Sequence, residues 1–308
     1  MSYSKVLGLA GTPTFDIVTS ETSPEWEGPG GVLYQCAALS ALGVRTRLYC
    51  AVGKDLREEF KEITRDWDTL STEKVLFPEK PGNRVRLHYP LKGERRETLL
   101  SLSDPLDIRE ITGEAGKLDF FIMVMNSGFE LRIGEWDRLT ASLPCPVWLD
   151  IHSLALSRET ASPRSYRSLS NWKQWARGTR CLQANRKEAA SMLGEPGSIP
   201  GPGRIRKLGP EAFEVGVEAL FITLGEEGVF LMTPGETILL SPDSPAGGAV
   251  DTTGAGDAFC AGAASRLVEG DDPVSAGRFG IITASLAVKA RGVREIYRAV
   301  EPLGRNNR

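Results

Sequence analysis

The sequence predicts an α/β protein whose central sheet is mostly parallel and is covered by helices on both faces. Four short runs are apolar throughout, as expected for strands that are buried on both sides. These runs lie at residues 120–125, 147–149, 181–184 and 220–223. Helix candidates alternate with them, at residues 132–142, 186–193 and 210–218. An alternation of buried strands and helices is typical of a parallel sheet with helical connections.

The N-terminal part begins with the same alternation. A buried strand is predicted over residues 6–10, and a helix over 31–42, where small apolar residues end at Gly43 as at a helix C-cap. The next strand is predicted over residues 47–52, and an amphipathic helix with an acidic cap follows over 55–67. The segment between the first strand and the first helix is polar and contains prolines.

The rest of the chain contains two paired-strand signals and one long loop signal. Strand-like runs at 84–89 and 95–102 flank a short polar turn, which predicts a hairpin with one charged and one apolar face. Two successive strands are predicted between residues 228 and 240. The glycine-rich segment 194–209 is predicted to be an exposed loop, and residues 254–291 are predicted to form two helices.

Composition limits the class of protein and its partners. The 308 residues are 41% hydrophobic and 25% charged, which excludes a disordered, collagen-like or coiled-coil chain. A net charge of -3 argues against a nucleic-acid binder. No signal peptide or membrane-spanning run is recognised, and the five cysteines form no C-x-x-C pair, so reduced thiols in the cytoplasm are expected instead of disulfides or zinc.

Glycines mark the segment that carries chemistry. The chain has 33 of them, an excess over the usual share of about 7%. Gly254, Ala255 and Gly256 follow a strand and open a helix of small residues, so their backbone N–H groups are predicted to form an anion hole. Asp257 would stand beside the anion and accept the proton of an attacking hydroxyl. The purely structural interpretation is a tight turn with a helix-start charge.

Three weaker motifs accompany this segment. Asn185 and Glu188 lie where a strand ends and a helix begins, so they are candidates for a helix capping box. The functional interpretation is that both side chains face phosphates and a hydrated Mg2+, which prefers carboxylates acting through water. Residues 223–228 form a strand end and a glycine turn, and Gly30 and Gly31 would let a ligand approach the backbone.

In this order the motifs resemble the PfkB (ribokinase-like) family of carbohydrate and nucleoside kinases, over essentially the whole chain. The motifs that carry the resemblance are Gly30-Gly31, Asn185-x-x-Glu188, Thr223-x-Gly225-x-x-Gly228 and the segment from Asp251 to Asp257. The resemblance implies one domain over residues 1–308 with a three-layer α/β/α ribokinase-like fold, and a small β lid formed by about 12–29 and 83–103. It also implies transfer of the γ-phosphate of ATP, with Mg2+, to a substrate hydroxyl, with a sugar as the favoured substrate.

The resemblance implies roles for the residues on the donor side. Asp257 would be the catalytic base beside the anion hole at 254–256. Asn185 and Glu188 would serve the phosphates and Mg2+, with Glu188 reaching the metal through water. The turn over 223–228 would line the nucleotide site.

On the substrate side the match is looser. Asp16 matches the aspartate that holds substrate hydroxyls in the family, and Gly30 and Gly31 would lie close to the substrate. Gln35 stands where an asparagine is common, and His152 replaces the asparagine found in many sugar-specific members. These departures leave a nucleoside (adenosine-type) kinase open. A non-catalytic sugar- or nucleotide-binding module is the alternative from another class.

The predicted hairpin carries a set of basic side chains that could meet an already phosphorylated sugar. They are Arg84, Arg86, Lys92, Arg95 and Arg96. The simpler interpretation is that they form the solvated face of an exposed hairpin. The hairpin is also a candidate surface for a homodimer.

Overall fold

A computed structural model of the protein describes residues 4–21, 24–91, 95–242 and 248–306. The strands are β1 (Val6–Ala10), β2 (Pro13–Ser20), β3 (Trp26–Gly31), β4 (Arg45–Ala51), β5 (Leu70–Leu76), β6 (Asn83–Tyr89), β7 (Arg96–Ser101), β8 (Phe120–Val124), β9 (Val147–Asp150), β10 (Cys181–Asn185), β11 (Ala219–Thr223), β12 (Val229–Met232) and β13 (Thr237–Leu240). The helices are α1 (Val32–Ala41), α2 (Arg57–Thr64), α3 (Ile108–Thr112), α4 (Ile133–Ser142), α5 (Trp172–Ala176), α6 (Arg186–Met192), α7 (Pro202–Ile205), α8 (Leu208–Phe213), α9 (Ala255–Glu269), α10 (Pro273–Ala287) and α11 (Gly292–Asn306).

The main sheet has the strand order β13-β12-β11-β10-β9-β8-β1-β4-β5. All neighbours from β11 to β5 are parallel, whereas β12 and β13 run antiparallel at one edge. The sheet is therefore mostly parallel, as the alternation of apolar runs and helices predicts. The carboxyl ends of its parallel strands lie at one edge, where ligand clefts of such folds open.

Both faces of the main sheet are covered. In β8, Phe120, Ile122 and Val124 belong to a core cluster with residues of α1, α2, α9, α10 and α11. Phe121 and Met123 point the other way, into a cluster with residues of α3 to α8. Successive residues of a strand face opposite sides, so an uninterrupted apolar run is needed when both sides are packed. The predicted three-layer α/β/α fold is confirmed.

A second sheet, which we call the small sheet, has the order β3-β2-β6-β7. Its β6–β7 pair is the predicted antiparallel hairpin, and β2 runs parallel to β6. Val18, Val85, Leu87 and Leu99 form an apolar cluster on one of its faces. These strands largely fall within the two ranges expected for a lid. That the small sheet moves as a lid, that it forms a homodimer and that the chain is one domain all stay predictions.

Strands β2 and β3 fall largely in the range 12–29 that the family resemblance assigns to a β lid, but neither strand is predicted from the local sequence pattern. The sequence of β3 is WEGPGG, and its proline and glycines weaken any strand pattern. Proline is tolerated because β3 is an edge strand of the small sheet, where one side of the backbone has no ladder partner to satisfy.

Two helical regions also differ from expectation. The prediction of an exposed loop over 194–209 is confirmed for residues 194–201, which form no helix or strand and are mostly exposed. It is wrong for residues 202–209, which contain α7 and the start of α8 and bury Ile205 and Leu208. Gly201 is the N-cap of α7, and proline occupies the first turn of that helix. The helix expected over 55–67 is shorter, because a 3-10 turn at Lys54–Leu56 precedes α2. Helix α11 follows the two predicted C-terminal helices and was not predicted.

Two findings bear on chain-wide expectations. All five cysteines are free, and four of them are buried, with Cys145 partly exposed. Within the described ranges, no helix combines the length and the apolar character needed to cross a bilayer.

Candidate active site

A cleft of about 450 Å3, counted with its open mouth, lies between the small sheet and the carboxyl-end edge of the main sheet. It is lined by Thr14, Asp16, Gly31, Tyr34, Val85, Leu87, Arg95, Glu97, Asn126, His152, Thr253, Gly254 and Asp257. The cleft thus brings together residues from β2, α1, β6, β7, the loops after β8 and β9, and the start of α9. Five of the predicted site residues line it directly, namely Asp16, Gly31, His152, Gly254 and Asp257.

The two glycines at the start of α9, Gly254 and Gly256, have different structural requirements. Gly254 is the N-cap with a φ of 81°, and a Cβ there would lie 2.7 Å from Tyr34 Cδ1. The fold itself therefore requires glycine at this position. Within the described part of the chain, a Cβ on Gly256 would meet only Gln183 Nε2, at 3.7 Å. Packing does not demand glycine at 256, so the space beside its backbone is available to a ligand.

Asp257 lies in the first turn of α9 with its carboxyl group buried. Among the described residues, none hydrogen-bonds to its Oδ1. Burial raises the pKa of Asp257 from 3.8 to about 7, and the negative charge of Asp16 adds to the rise. A buried carboxylate that titrates near neutral pH can take up a proton during a reaction.

Asp16 reaches the same cleft from β2, and its two carboxylate oxygens are already oriented. Thr14 Oγ1 donates to Oδ1 at 2.6 Å, and Tyr34 Oη donates to Oδ2 at 3.0 Å. Burial raises the pKa of Asp16 to about 6, although both hydrogen bonds act in the opposite direction. The carboxylate is therefore fixed in place before any ligand binds.

The glycine pair before α1, Gly30 and Gly31, is required by close contacts within the protein. A Cβ on Gly30 would lie 2.0 Å from Asp16 Oδ2, and one on Gly31 would lie 2.3 Å from the Thr12 carbonyl oxygen. Gly31 also has a φ of 61°. Close approach of a ligand is therefore not needed to explain either glycine, although Gly31 does line the cleft.

The two departures from the family pattern have different locations. Gln35 is fully buried in α1 and does not line the cleft; within the described ranges, neither of its polar side-chain atoms has a hydrogen-bond partner. Tyr34, one residue earlier, lines the cleft instead. His152 lines it from the 3-10 turn after β9, with a φ of 40°. Burial lowers the pKa of His152 to about 4, so its ring is neutral at physiological pH.

Asn185 and Glu188 form the predicted capping box at the start of α6. Asn185 Oδ1 accepts from the Glu188 backbone N–H at 2.9 Å, and Glu188 Oε2 accepts from the Asn185 N–H at 2.7 Å. Neither residue lines the cleft described above, so their part in phosphate binding stays a prediction. Burial raises the pKa of Glu188 to about 8.

Other buried carboxylates lie near Glu188, for which a part in Mg2+ binding stays a prediction. Asp150 and Asp257 are buried nearby, and burial raises the pKa of Asp150, as do the charges of Glu188 and Asp257. In the chain as described, no three His, Cys, Asp or Glu side chains are grouped closely enough to hold a metal ion. Mg2+ therefore fits this region only if water or phosphate oxygens supply most of its ligands, which is its usual preference.

The glycine turn over 223–228 lies at the same sheet edge as Asn185. Thr223 ends β11 directly beside Asn185, the last residue of β10. Gly225 has a φ of 65° and Gly228 a φ of 102°. A Cβ on Gly228 would lie 2.0 Å from the Leu240 carbonyl oxygen, so this glycine is required by the pairing with β13.

The basic residues of the hairpin separate into different environments. Arg95 lines the cleft. Arg84 pairs with a carboxylate outside the cleft, at 3.0 Å, and Arg86 and Arg96 are exposed. Lys92 lies outside the described residues. The interpretation as a solvated face therefore fits Arg86 and Arg96, whereas Arg84 is half-buried in its ion pair.

Sequence reasoning missed Tyr34 and Glu97, both of which line the cleft. Tyr34 belongs to no motif, and only its place one turn into α1 after Gly30-Gly31 hints at a role. Glu97 follows the strand alternation of β7, which puts it on the same side as Arg95, but its position over the cleft depends on how the small sheet packs.

Comparisons with known proteins bear on the family and the fold of the chain. The model of the family described as pfkB family carbohydrate kinase matches residues 150–299. An uncharacterized sugar kinase of Archaeoglobus fulgidus is 25% identical over 260 residues, which are 83% of this chain and 96% of the archaeal protein.

Two solved structures share the fold. The ribokinase of Arabidopsis thaliana, complexed with ribose and ATP, superposes with a TM-score of 0.75 at 20% identity, over 97% of this chain and 98% of that one. A nucleoside kinase of Burkholderia thailandensis, in complex with inosine, superposes with a TM-score of 0.70 at 18% identity, over 96% and 97%.

Proposed function

Since the chain belongs to the PfkB family of carbohydrate kinases, we propose that it transfers the γ-phosphoryl group of ATP to a hydroxyl of a small polyhydroxylated acceptor. As a member of that family it is a phosphotransferase that acts on an alcohol group. A sugar is the favoured acceptor. One observation carries the proposal: Asp257, buried at the glycine-opened start of α9, faces the same cleft as the pre-oriented Asp16.

The proposed reaction uses the two aspartates in different ways. Asp16 accepts a hydrogen bond from an acceptor hydroxyl and fixes the acceptor in the cleft. Asp257 takes the proton of the reacting hydroxyl while the oxygen of that hydroxyl attacks the γ-phosphorus. The bond from the γ-phosphorus to the bridging oxygen breaks, and ADP leaves with that electron pair. Mg2+ would neutralise phosphate charge, held by Glu188 through water.

The backbone at 254–256 would stabilise the charge that develops on the transferred group. N–H groups at the start of a helix point outward without helical partners, and the helix dipole adds partial positive charge there. The space beside Gly256 supports this assignment, because packing of the protein does not fill it. The pKa of Asp257 near 7 supports its role as base, because such a group is effective near neutral pH.

A nucleoside is the second candidate acceptor. The acceptor side lacks the sugar-specific pattern, since His152 lines the cleft and Gln35 does not. A neutral histidine can both donate and accept hydrogen bonds, so it suits ribose hydroxyls and base edges alike. The likeness to the inosine-bound nucleoside kinase supports keeping this candidate.

The test is an ADP-release screen with ATP and Mg2+ against free sugars, sugar phosphates, polyols and nucleosides. We expect turnover with free sugars or polyols. Turnover of nucleosides alone would select the second candidate, and turnover of sugar phosphates alone would assign Arg95 to an acceptor phosphate. If ATP and an acceptor bind in calorimetry but no ADP forms with any compound, the protein is a non-catalytic binding module and the proposal fails.

A further inference from the structure

One carboxylate in the cleft has no part in the reaction described above. Glu97 lies in β7 and is buried to all but 9% of its surface, yet it lines the cleft. On the same face of the small sheet, Asp16 is paired with Val85 across β2 and β6, and Glu97 is paired with Leu87 across β6 and β7. Two carboxylates therefore flank a short apolar strip formed by Val85 and Leu87.

The orientation of Glu97 is fixed by Arg164, whose side chain is only 1% exposed. Arg164 Nη1 donates to Glu97 Oε1 at 3.0 Å, and the Arg164 backbone N–H donates to the Glu97 carbonyl oxygen at 2.7 Å. The other guanidinium nitrogens are held by carbonyl oxygens, with Nε bound to Ser157 at 2.8 Å and Nη2 to Ser127 at 3.0 Å. Such a fully hydrogen-bonded guanidinium holds the carboxylate in one rotamer.

Arg164 binds one carboxylate oxygen of Glu97 and leaves the second oxygen free of this contact, while Glu97 itself lines the cleft. Glu97 Oε2 lies 3.9 Å from Arg95 Nη2, which is an ion-pair contact but longer than a hydrogen bond. The charge of Glu97 also helps to raise the pKa of Asp16, although burial is the main cause. The carboxylates of Asp16 and Glu97 are therefore close enough to influence each other and a ligand bound in the cleft. An ionised carboxylate only accepts hydrogen bonds, so the ligand group that suits Oε2 is a hydroxyl or another donor.

We propose that Glu97 is an acceptor-binding residue and that Arg164 is its positioning residue. The acceptor lies over Val85 and Leu87, with one hydroxyl bound by Asp16 and a second, separate hydroxyl bound by Glu97. The inference rests on the proposed function and narrows it to an acceptor that carries hydroxyls at two separated positions. The apolar strip between them contacts the C–H face of the acceptor.

The test compares Glu97→Gln with the wild type, using the best acceptor of the screen and its single-deoxy analogues. We expect the KM for the acceptor to rise about tenfold to a hundredfold, the effect of losing a hydrogen bond to a charged group. The KM for ATP should stay unchanged. The deoxy analogue that lacks the Glu97-bound hydroxyl should show equal KM values in the two proteins. Glu27→Gln, the same change at an exposed position of β3 in the same sheet, is the matched control and should change nothing.

Equal losses for the acceptor and every deoxy analogue would overturn the inference, since a merely structural role affects all of them alike. If Glu97→Gln does not fold, Glu97→Asp replaces it, because the shorter side chain keeps the charge but withdraws Oε2 from the hydroxyl. A wild-type protein that forms no ADP with any acceptor contradicts the proposed function alone. Glu97 is then tested by calorimetry of acceptor binding to the wild type and the variant, where equal affinities would refute the inference.

Discussion

The two sides of the cleft are built in different ways. The proposed donor side consists of short contiguous segments, each at a strand end or helix start, as in the turn from Gly254 to Asp257 that opens α9. The acceptor side is assembled from single residues of β2, α1, β7 and the loop after β9, among them Asp16, Tyr34 and Glu97. Local backbone geometry therefore determines the first side, and long-range packing determines the second.

The largest effect should come from the donor side, at Asp257. Asp257→Asn keeps the size of the side chain but removes the base, so kcat should fall by about 10²–10⁴-fold with every acceptor. Asp271→Asn, just beyond the opposite end of α9, is the matched control, because Asp271 pairs with Arg266 away from the cleft. Steady-state kinetics decide the matter. Near-normal turnover of the Asp257 variant would show that Asp257 is not the base. The proposed division of the cleft into a donor side and an acceptor side would then lose its main support.

Gly254 and Gly256 should respond differently to the same substitution. Gly254→Ala forces a positive φ on alanine and brings its Cβ against Tyr34, so it should cost about 1–3 kcal/mol of unfolding free energy. Gly256→Ala meets little resistance and should leave stability nearly unchanged, while its methyl group raises the KM for ATP. Thermal melts and ATP titrations of both variants provide the measurement. Equal stability losses would show that packing, not ligand space, explains Gly256.

The difference between the contiguous donor side and the dispersed acceptor side determines how much of the site can be predicted from the sequence. The local geometry of the proposed donor side was predictable because Gly254, Gly256 and Asp257 follow one another and a helix start fixes their relative positions. Asn185 and Glu188 were predictable for the same reason, since three residues of helix suffice to form a capping box. In each case the spacing along the chain determines the spacing in space.

The acceptor side could not be read in the same way. Tyr34 reaches Asp16 because α1 packs beside β2, and the Glu97 side chain is held by a hydrogen bond from the distant Arg164. Such contacts join residues 18 and 67 positions apart, and no local pattern specifies them. Gln35, chosen by analogy of position, lies one residue away from the side chain that lines the cleft.

Removing the hydroxyl of Tyr34 should give a moderate effect confined to the acceptor side. Tyr34→Phe loses the hydrogen bond to Asp16 Oδ2, so the KM for the acceptor should rise by up to about tenfold. Because that hydrogen bond lowers the pKa of Asp16, the acidic limb of kcat/KM should also move to higher pH. Tyr49→Phe, a buried tyrosine outside this cleft, is the control. An unchanged pH profile would show that Tyr34 does not tune Asp16.

A further effect should be on stability, and it follows from the raised pKa values. Folded Asp257 has a pKa of about 7, whereas the unfolded chain has its ordinary value of 3.8, so the native state holds a proton that the unfolded state releases between these values. Stability contributed by this group is therefore present below pH 4 and is lost as the pH rises through 7. The Asp257→Asn variant carries no such charge, so its melting temperature should exceed that of the wild type by a margin that grows from pH 4 to pH 7. Each kcal/mol of unfolding free energy corresponds to about 2–4 °C in melting temperature.

Asp16→Asn offers the matching measurement on the acceptor side. Folded Asp16 has a pKa of about 6, so the margin over the wild type should stop growing near pH 6, one unit below the value for Asp257. The same ordering is expected in unfolding by denaturant at fixed temperature. Margins that level off at the same pH in both variants would mean that the two carboxyls titrate as one coupled pair, and the electrostatic distinction between the two sides would disappear.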